Sequence, residues 1–191
     1  MKLKFSNITV SGGVAVGKNT LKDNLMPYLE PLGWRFTSGG QLLRDFAKEY
    51  VQPLASLVND EFHHKLDDRT RKLLIEDGNY VIEAWLGGFM ARDLDNTLRI
   101  LLTCPSEALR IDRVANRDRV SIDDAKHFIK EREENNIKEW KRIYGDYNFW
   151  DPQYYHLVLD TYSMGPMETV GKVLDRLGYK LHKEVLQPVK K

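Results

Sequence analysis

The stretch ITVSGGVAVGKNT, Ile8 to Thr20, constrains the fold more than any other part of the chain. An apolar, β-branched run passes into glycines and small residues, and a helical pattern from Lys18 to Leu29 follows. Gly12, Gly17 and Lys18 stand at the spacing of the phosphate-binding pattern G-x-x-x-x-G-K-[ST]. Backbone N–H groups at a helix start converge on one spot, and the helix dipole there favours an anion. Glycines let the backbone wrap phosphates closely, and the lysine reaches their oxygens. Gly12, Gly13, Val14, Ala15, Val16, Gly17, Lys18, Asn19 and Thr20 therefore form the expected phosphate cradle. Asn19 breaks the pattern, because a Ser or Thr hydroxyl normally stands there as a Mg²⁺ ligand. Its carbonyl is still a neutral oxygen of the kind a hard cation accepts, one atom further out. Thr20 follows directly.

The rest of the chain alternates short apolar runs with longer helical patterns. Strands are expected at Phe5 to Ser11, Trp34 to Ser38, Tyr80 to Trp85, Leu98 to Thr103 and His156 to Asp160. Helices are expected at Lys18 to Leu29, Gln41 to Tyr50, Leu54 to Glu76, Ser106 to Arg117, Ile122 to Tyr144 and Met167 to Leu177. Five strands separated by helices imply an α/β fold: a parallel sheet with helices on both faces. The apolar runs lack clean alternation, as expected for strands buried on both sides. No repeat or Pro/Gly linker divides the 191 residues, so a single domain over 1–180 is expected, with a frayed tail over 181–191. Two segments read as insertions on that core, one over about 39–77 and a charged one over about 110–142.

Charge and composition exclude several classes. A formal net charge of +1 supplies no global field for nucleic acid or an anionic membrane, so phosphates must be handled by local clusters. No apolar run reaches the roughly 20 residues that a membrane helix needs. A lone cysteine, Cys104, fits a reducing compartment, and the N-terminus shows no secretory pattern, so cytoplasmic residence is expected. The five histidines lack metal-ligand spacing, and no N-K-x-D guanine-reading motif occurs.

In the second insertion Arg110, Arg113 and Arg117 fall on one helix face, and Arg132 adds to the cluster. Asp112 and Asp118 lie elsewhere on the helical wheel and read as poor partners for that stripe. Glu83, the lone acid of the run YVIEAW, needs a partner if its strand is buried. Near the carboxyl end of a parallel strand it could help orient magnesium through water.

The chain resembles the cytidylate kinases, in particular the compact archaeal-type branch of the nucleoside monophosphate kinases. The resemblance rests on ITVSGGVAVGKNTLKDNL, FTSGGQLLRDFAKE, NYVIEAWLGGFMA, RIDRVANRDRVSIDDAKHFIKEREENN and KRIYGDY…YYHLVLDT. It implies a P-loop kinase core, an acceptor-nucleotide insertion and an arginine-rich lid, matching the two insertions above. It also implies ATP and Mg²⁺ as cofactors. Lys18 would hold the donor phosphates, and Arg110, Arg113, Arg117 and Arg132 would stabilise transferred charge. Ser38, Gly39, Arg44, Asp67 and Arg69 fall on the acceptor side, where a guanidinium suits a phosphate because its planar fork binds bidentately. Asn19 and Glu83 are the candidate metal residues.

Departures from the family pattern sit on that same side. Ala84-Trp85 replaces Gly-Arg, Glu139 replaces an arginine, and Gln41 stands where an acid is common. Trp85 could stack on a base or pack in the core, and Lys138, Lys141 or Arg142 could cover the charge lost at Glu139. The expected function is phosphorylation of CMP or dCMP by ATP. The alternatives are a P-loop kinase for another monophosphate or small acceptor, and a nucleotide-binding regulatory protein with little turnover. Small-molecule nucleotides are the expected partners, without nucleic acid or membrane, and a monomer is expected.

Overall fold

The computed structural model describes residues 3–49 and 60–180. β1 (Asn7–Ser11) shows why its run is apolar on alternate positions only. Ile8 and Val10 are fully buried on one face, while Asn7, Thr9 and Ser11 are fully buried on the other. Asn7 and Ser11 are satisfied by neighbouring elements, whereas Thr9 Oγ1 has no hydrogen-bond partner among the described residues. Asn7 Nδ2 donates to Leu74 O at 2.7 Å, its Oδ1 accepts from Tyr80 N at 3.1 Å, and Ser11 Oγ accepts from Gly88 N at 2.8 Å.

β1 is the middle strand of a five-stranded sheet with β2 (Arg35–Ser38), β3 (Tyr80–Glu83), β4 (Thr97–Thr103) and β5 (Leu157–Asp160), in the order β2-β3-β1-β4-β5. Every pairing is parallel, with Val10 opposite Glu83 and Ile100 on its two sides. α1 (Lys18–Leu29) and α7 (Pro166–Leu177) cover one face, burying Leu21, Leu25, Leu29, Val173 and Leu177 against Ile8, Val10 and Ile100. The other face is covered by α2 (Gly39–Glu49), by Leu74 in the turn that follows α3 (Asp60–Lys72), and by α4 (Gly87–Met90). Gly87 and Gly88 let α4 lie directly on β1, since a Cβ on Gly87 would stand 3.4 Å from Thr9 Cβ and one on Gly88 3.3 Å from Ser11 Oγ, and the latter would also meet the Tyr155 ring at 2.3 Å. α5 (Glu107–Asp118) and α6 (Ile122–Tyr144) rise over the carboxyl ends of the strands, α5 capped by Ser106 and α6 by Ser121.

The expected bounds of α1 and α6 hold, and the remaining elements shift at their ends. β1 starts at Asn7 because Ser6 N and Asn7 N both donate to Asn96 O, in a loop. β3 ends at Glu83 because Ala84 and Trp85 lead into α4, a short helix that the sequence pattern did not show. α2 begins at Gly39, and the expected continuation to Tyr50 lies outside the described residues. So do positions 54–59 of the next expected helix, whose described part is α3 followed by a π-turn over Leu73–Asp77. The tail over 181–191 also lies outside them.

Candidate active site

The loop between β1 and α1 is held in a shape that ordinary residues avoid. Gly12 has φ 138°, and a Cβ there would stand 2.4 Å from Leu102 O. Gly17 caps α1 in the left-handed region at φ 92°, and Ala15, a non-glycine, is held at φ 58°. Backbone strain of this kind persists only where the surroundings over-determine it. Here the restraint comes from α5 and from Thr161 just after β5. Arg110 Nε donates to Val14 O at 3.0 Å, Arg113 donates to Ala15 O at 3.0 Å, and Thr161 Oγ1 donates to Val16 O at 3.0 Å.

Lys18 lies at the first position of α1 and is only 8 % exposed. Its Nζ donates to Gly13 O at 2.6 Å and stands 3.7 Å from Glu83 Oε1. Burial pushes the ammonium down from its ordinary 10.5 to about 8, with Arg132 adding to the fall and Glu83 and Glu133 opposing it. Glu83 thus has the partner that a buried strand acid requires, and it is the loop lysine.

A cleft of about 450 Å³ opens over this centre. It gathers Ala15 to Thr20 from the loop, Glu83 from β3, Arg113 and Arg117 from α5, and Thr161 and Met164 after β5. Asn19 and Thr20 are exposed. Arg113 is fixed across the cleft by Thr161, donating to its carbonyl at 3.0 Å and its hydroxyl at 3.2 Å. Arg117 lines the cleft but contradicts one expectation, because Asp118 meets it bidentately at 2.7 and 2.6 Å. The wheel argument treats helix positions as fixed directions. The long guanidinium instead folds around the helix end, where Arg119 turns left-handed at φ 57°. Arg132, exposed on α6, places its guanidinium 5.4 Å from the centroid of the Trp85 ring.

Trp85 lies where both readings of it meet. Its ring centroid is 5.2 Å from Lys18 Nζ, and it packs against Trp140 at 5.5 Å and Trp150 at 6.2 Å. It forms an aromatic wall beside the phosphate loop. Ser38 Oγ caps α2 by accepting from Gln41 N at 3.1 Å, and Gly39 packs on Ala84, where a Cβ would be 3.1 Å from the Ala84 Cβ.

The remaining acceptor-side residues are spread out. Arg44 is exposed and donates to Gln41 Oε1 at 2.8 Å. Asp67 lines a separate cavity of about 300 Å³ with Arg71, Arg92 and Tyr144, and accepts from Tyr144 Oη at 2.5 Å. Burial lifts its carboxyl to about 6. Arg69 is half-buried on α3. Arg142 does not cover the charge lost at Glu139: it donates to Glu139 itself and to Asp60 at 3.0 and 2.5 Å. Lys141 pairs with Asp146 at 2.5 Å.

The sequence reading missed Thr161, Trp140, Trp150 and Glu133. The carboxylate of Glu133 accepts from Val14 N at 2.8 Å and from Arg110. None of these carries a motif; Thr161, Trp150 and Glu133 reach the loop, and Trp140 reaches Trp85, only through the fold. Among the described residues no cluster of three or more His, Cys, Asp or Glu could hold a metal unaided. No described helix is long and apolar enough to cross a membrane.

A parallel sheet whose central strand feeds a strained glycine loop and a lysine at the start of a helix defines a P-loop kinase fold. A shikimate kinase from Bacteroides thetaiotaomicron superposes with a TM-score of 0.56 at 14% identity, over 90% of this chain and 98% of that one. An uncharacterized protein from Eubacterium ventriosum gives 0.71 at 14% identity, over 91% and 99%. At such identity these neighbours bear on the fold alone. The chain belongs to the cytidylate kinase-like family, whose model matches residues 35–163. The cytidylate kinase of Thermococcus sibiricus is 37% identical over 171 residues, 87% of this chain and 84% of that protein. That of Pyrococcus horikoshii is 33% identical over 192 residues, 93% of this chain and 96% of its own length.

Proposed function

We propose that the protein transfers the γ-phosphoryl group of ATP to CMP or dCMP, giving the nucleoside diphosphate. The observation that carries this reading is the attachment of Arg110 and Arg113 to the loop carbonyls of Val14 and Ala15. It brings two guanidinium groups to the cradle that Lys18 already serves. Phosphoryl transfer asks little of side chains beyond alignment and neutralisation of charge on the moving group.

In this reading the loop amides from Gly12 to Thr20 and Lys18 hold the donor phosphates. An oxygen of the acceptor's phosphate attacks the γ-phosphorus as the bond to the β-phosphate oxygen breaks. Arg110, Arg113, Arg117 and Arg132 stabilise the charge of the transferring group, and α5 with α6 forms the lid that excludes water. Arg44 grips the acceptor phosphate, with Ser38, Gly39, Asp67, Arg69 and Trp85 around the acceptor. Mg²⁺ suits the donor set here, since it prefers one or two protein oxygens with phosphate and water making up the rest. Asn19 would supply a carbonyl and Glu83 a carboxylate, and the bound cation would offset charge on the β and γ oxygens. The acceptor-nucleotide insertion over 39–77 and the lid over 110–142 then belong to a single domain with the core.

The wall of Trp85, Trp140 and Trp150 favours one further reading, an acceptor other than CMP. An aromatic face binds a planar ring by stacking, worth about 1–3 kcal/mol, but cannot replace the charge of an arginine. ADP release measured with ATP, Mg²⁺ and a panel of monophosphates and small alcohols decides between them. CMP- or dCMP-dependent turnover supports the main reading, turnover on another acceptor supports the second, and ATP binding without turnover on any acceptor refutes both.

A further inference from the structure

The loop already holds a carboxylate supplied by the chain itself. Glu133 projects from α6 onto its outer end, where Oε1 accepts from Val14 N at 2.8 Å and from the Arg110 guanidinium. The approach is close enough that a Cβ on Gly13 would stand 2.3 Å from that oxygen. Arg110 is held in place by its own bond to Val14 O at 3.0 Å. One loop amide, one anchored guanidinium and a lysine nearby form the donor set that a phosphate oxygen takes. Glu133 is four-fifths buried in this position, with a side-chain exposure of 20%. Among the described residues Val14 is the one loop amide that donates to a side chain. The helix start at Gly17 and Lys18 instead faces the open cleft.

We propose that Glu133 is a displaceable stand-in for the donor's terminal phosphate, and that the site distinguishes a nucleoside triphosphate from a diphosphate by it. This rests on the kinase reading. The inner phosphates settle on the helix start, which the carboxylate does not cover. Only a third phosphate reaches Val14 and Arg110, and it does so by lifting Glu133 away. Arg132 is the preceding residue on α6, so displacement of Glu133 moves a guanidinium that now stands beside Trp85. Once the terminal phosphoryl has left, the carboxylate regains Val14 and Arg110, and the diphosphate no longer holds the outer position.

Calorimetric titration of the parent, Glu133→Gln and Glu133→Asp with ADP and with a non-hydrolysable ATP analogue, at fixed Mg²⁺, tests the proposal. Glu133→Gln keeps the shape but loses the charge, and Glu133→Asp keeps the charge but loses the reach. Freed of a charge-assisted competitor, both variants should bind the triphosphate about tenfold tighter. ADP affinity should change less than twofold. An equal gain for ADP and the triphosphate overturns the proposal, because deletion of any nearby negative charge would do the same. So does an aspartate variant that matches the parent, or two variants with unchanged affinities. A parent that binds neither nucleotide overturns the kinase reading instead.

Discussion

Lys18 is a cation that the fold buries at a cost, and Lys18→Met should reveal that cost. Its ammonium titrates near 8 in the fold against an ordinary 10.5, a difference worth about 3 kcal/mol at neutral pH. The variant also loses the bond to Gly13 O, about 1 kcal/mol, and leaves the Glu83 carboxylate without its buried partner, which offsets the gain at neutral pH. The sharper readout is pH. Between 8 and 10.5 the unfolded chain keeps the lysine proton and the folded parent has released it, so parental stability rises with pH. The gap between variant and parent should therefore move in the parent's favour by about 1.4 kcal/mol per pH unit across that window. Urea denaturation at half-unit pH intervals from 7 to 10 measures it. Identical pH responses of parent and variant would refute the argument that burial, rather than pairing, governs this lysine.

Other substitutions probe the parts that hold the site. Asp67→Asn should raise stability at pH 7 by about 2 kcal/mol and keep the Tyr144 bond. The parent loses that stability as pH rises from 4 to 6, through the elevated carboxyl value, so matching melts at pH 4 and 7 would contradict it. Arg113→Ala removes the guanidinium that joins Ala15 to Thr161 and should cost about 2 kcal/mol in a denaturant melt. Arg113→Lys should recover only part, because an ammonium lacks the fork. Gly88→Ala drives a methyl into the Tyr155 ring and should cost about 2 kcal/mol or more by the same measurement.

Much of this architecture is legible in the residues, for local reasons. The helix starting at Lys18 and the long helix Ile122–Tyr144 have bounds that motif, capping serine and flanking glycine mark in the sequence. The parallel sheet follows from five short apolar runs separated by helical patterns, although β1 alternates polar and apolar residues and β2 and β5 are partly exposed. Less legible are features fixed by tertiary contact. Phe5 continues an apolar run but lies in a loop that Asn96 holds, and GGFM shows no helical period because its task is close approach to β1. Arginines at helical spacing point to a cation face, yet spacing does not reveal that Arg117 bends to Asp118 while Arg110 and Arg113 reach the loop. Glu133, one acid among several in KEREEN, is distinguished only by lying over Val14.

The central claim is that the strained loop and Lys18 hold a nucleoside triphosphate whose terminal phosphoryl passes to a cytidine monophosphate. A coupled assay of ADP release from ATP and Mg²⁺, with and without CMP, tests it most directly when run beside Lys18→Met. The account predicts release that depends on CMP and falls at least a hundredfold in the variant, about 2.7 kcal/mol of transition-state stabilisation. CMP-dependent release that survives in Lys18→Met would contradict it.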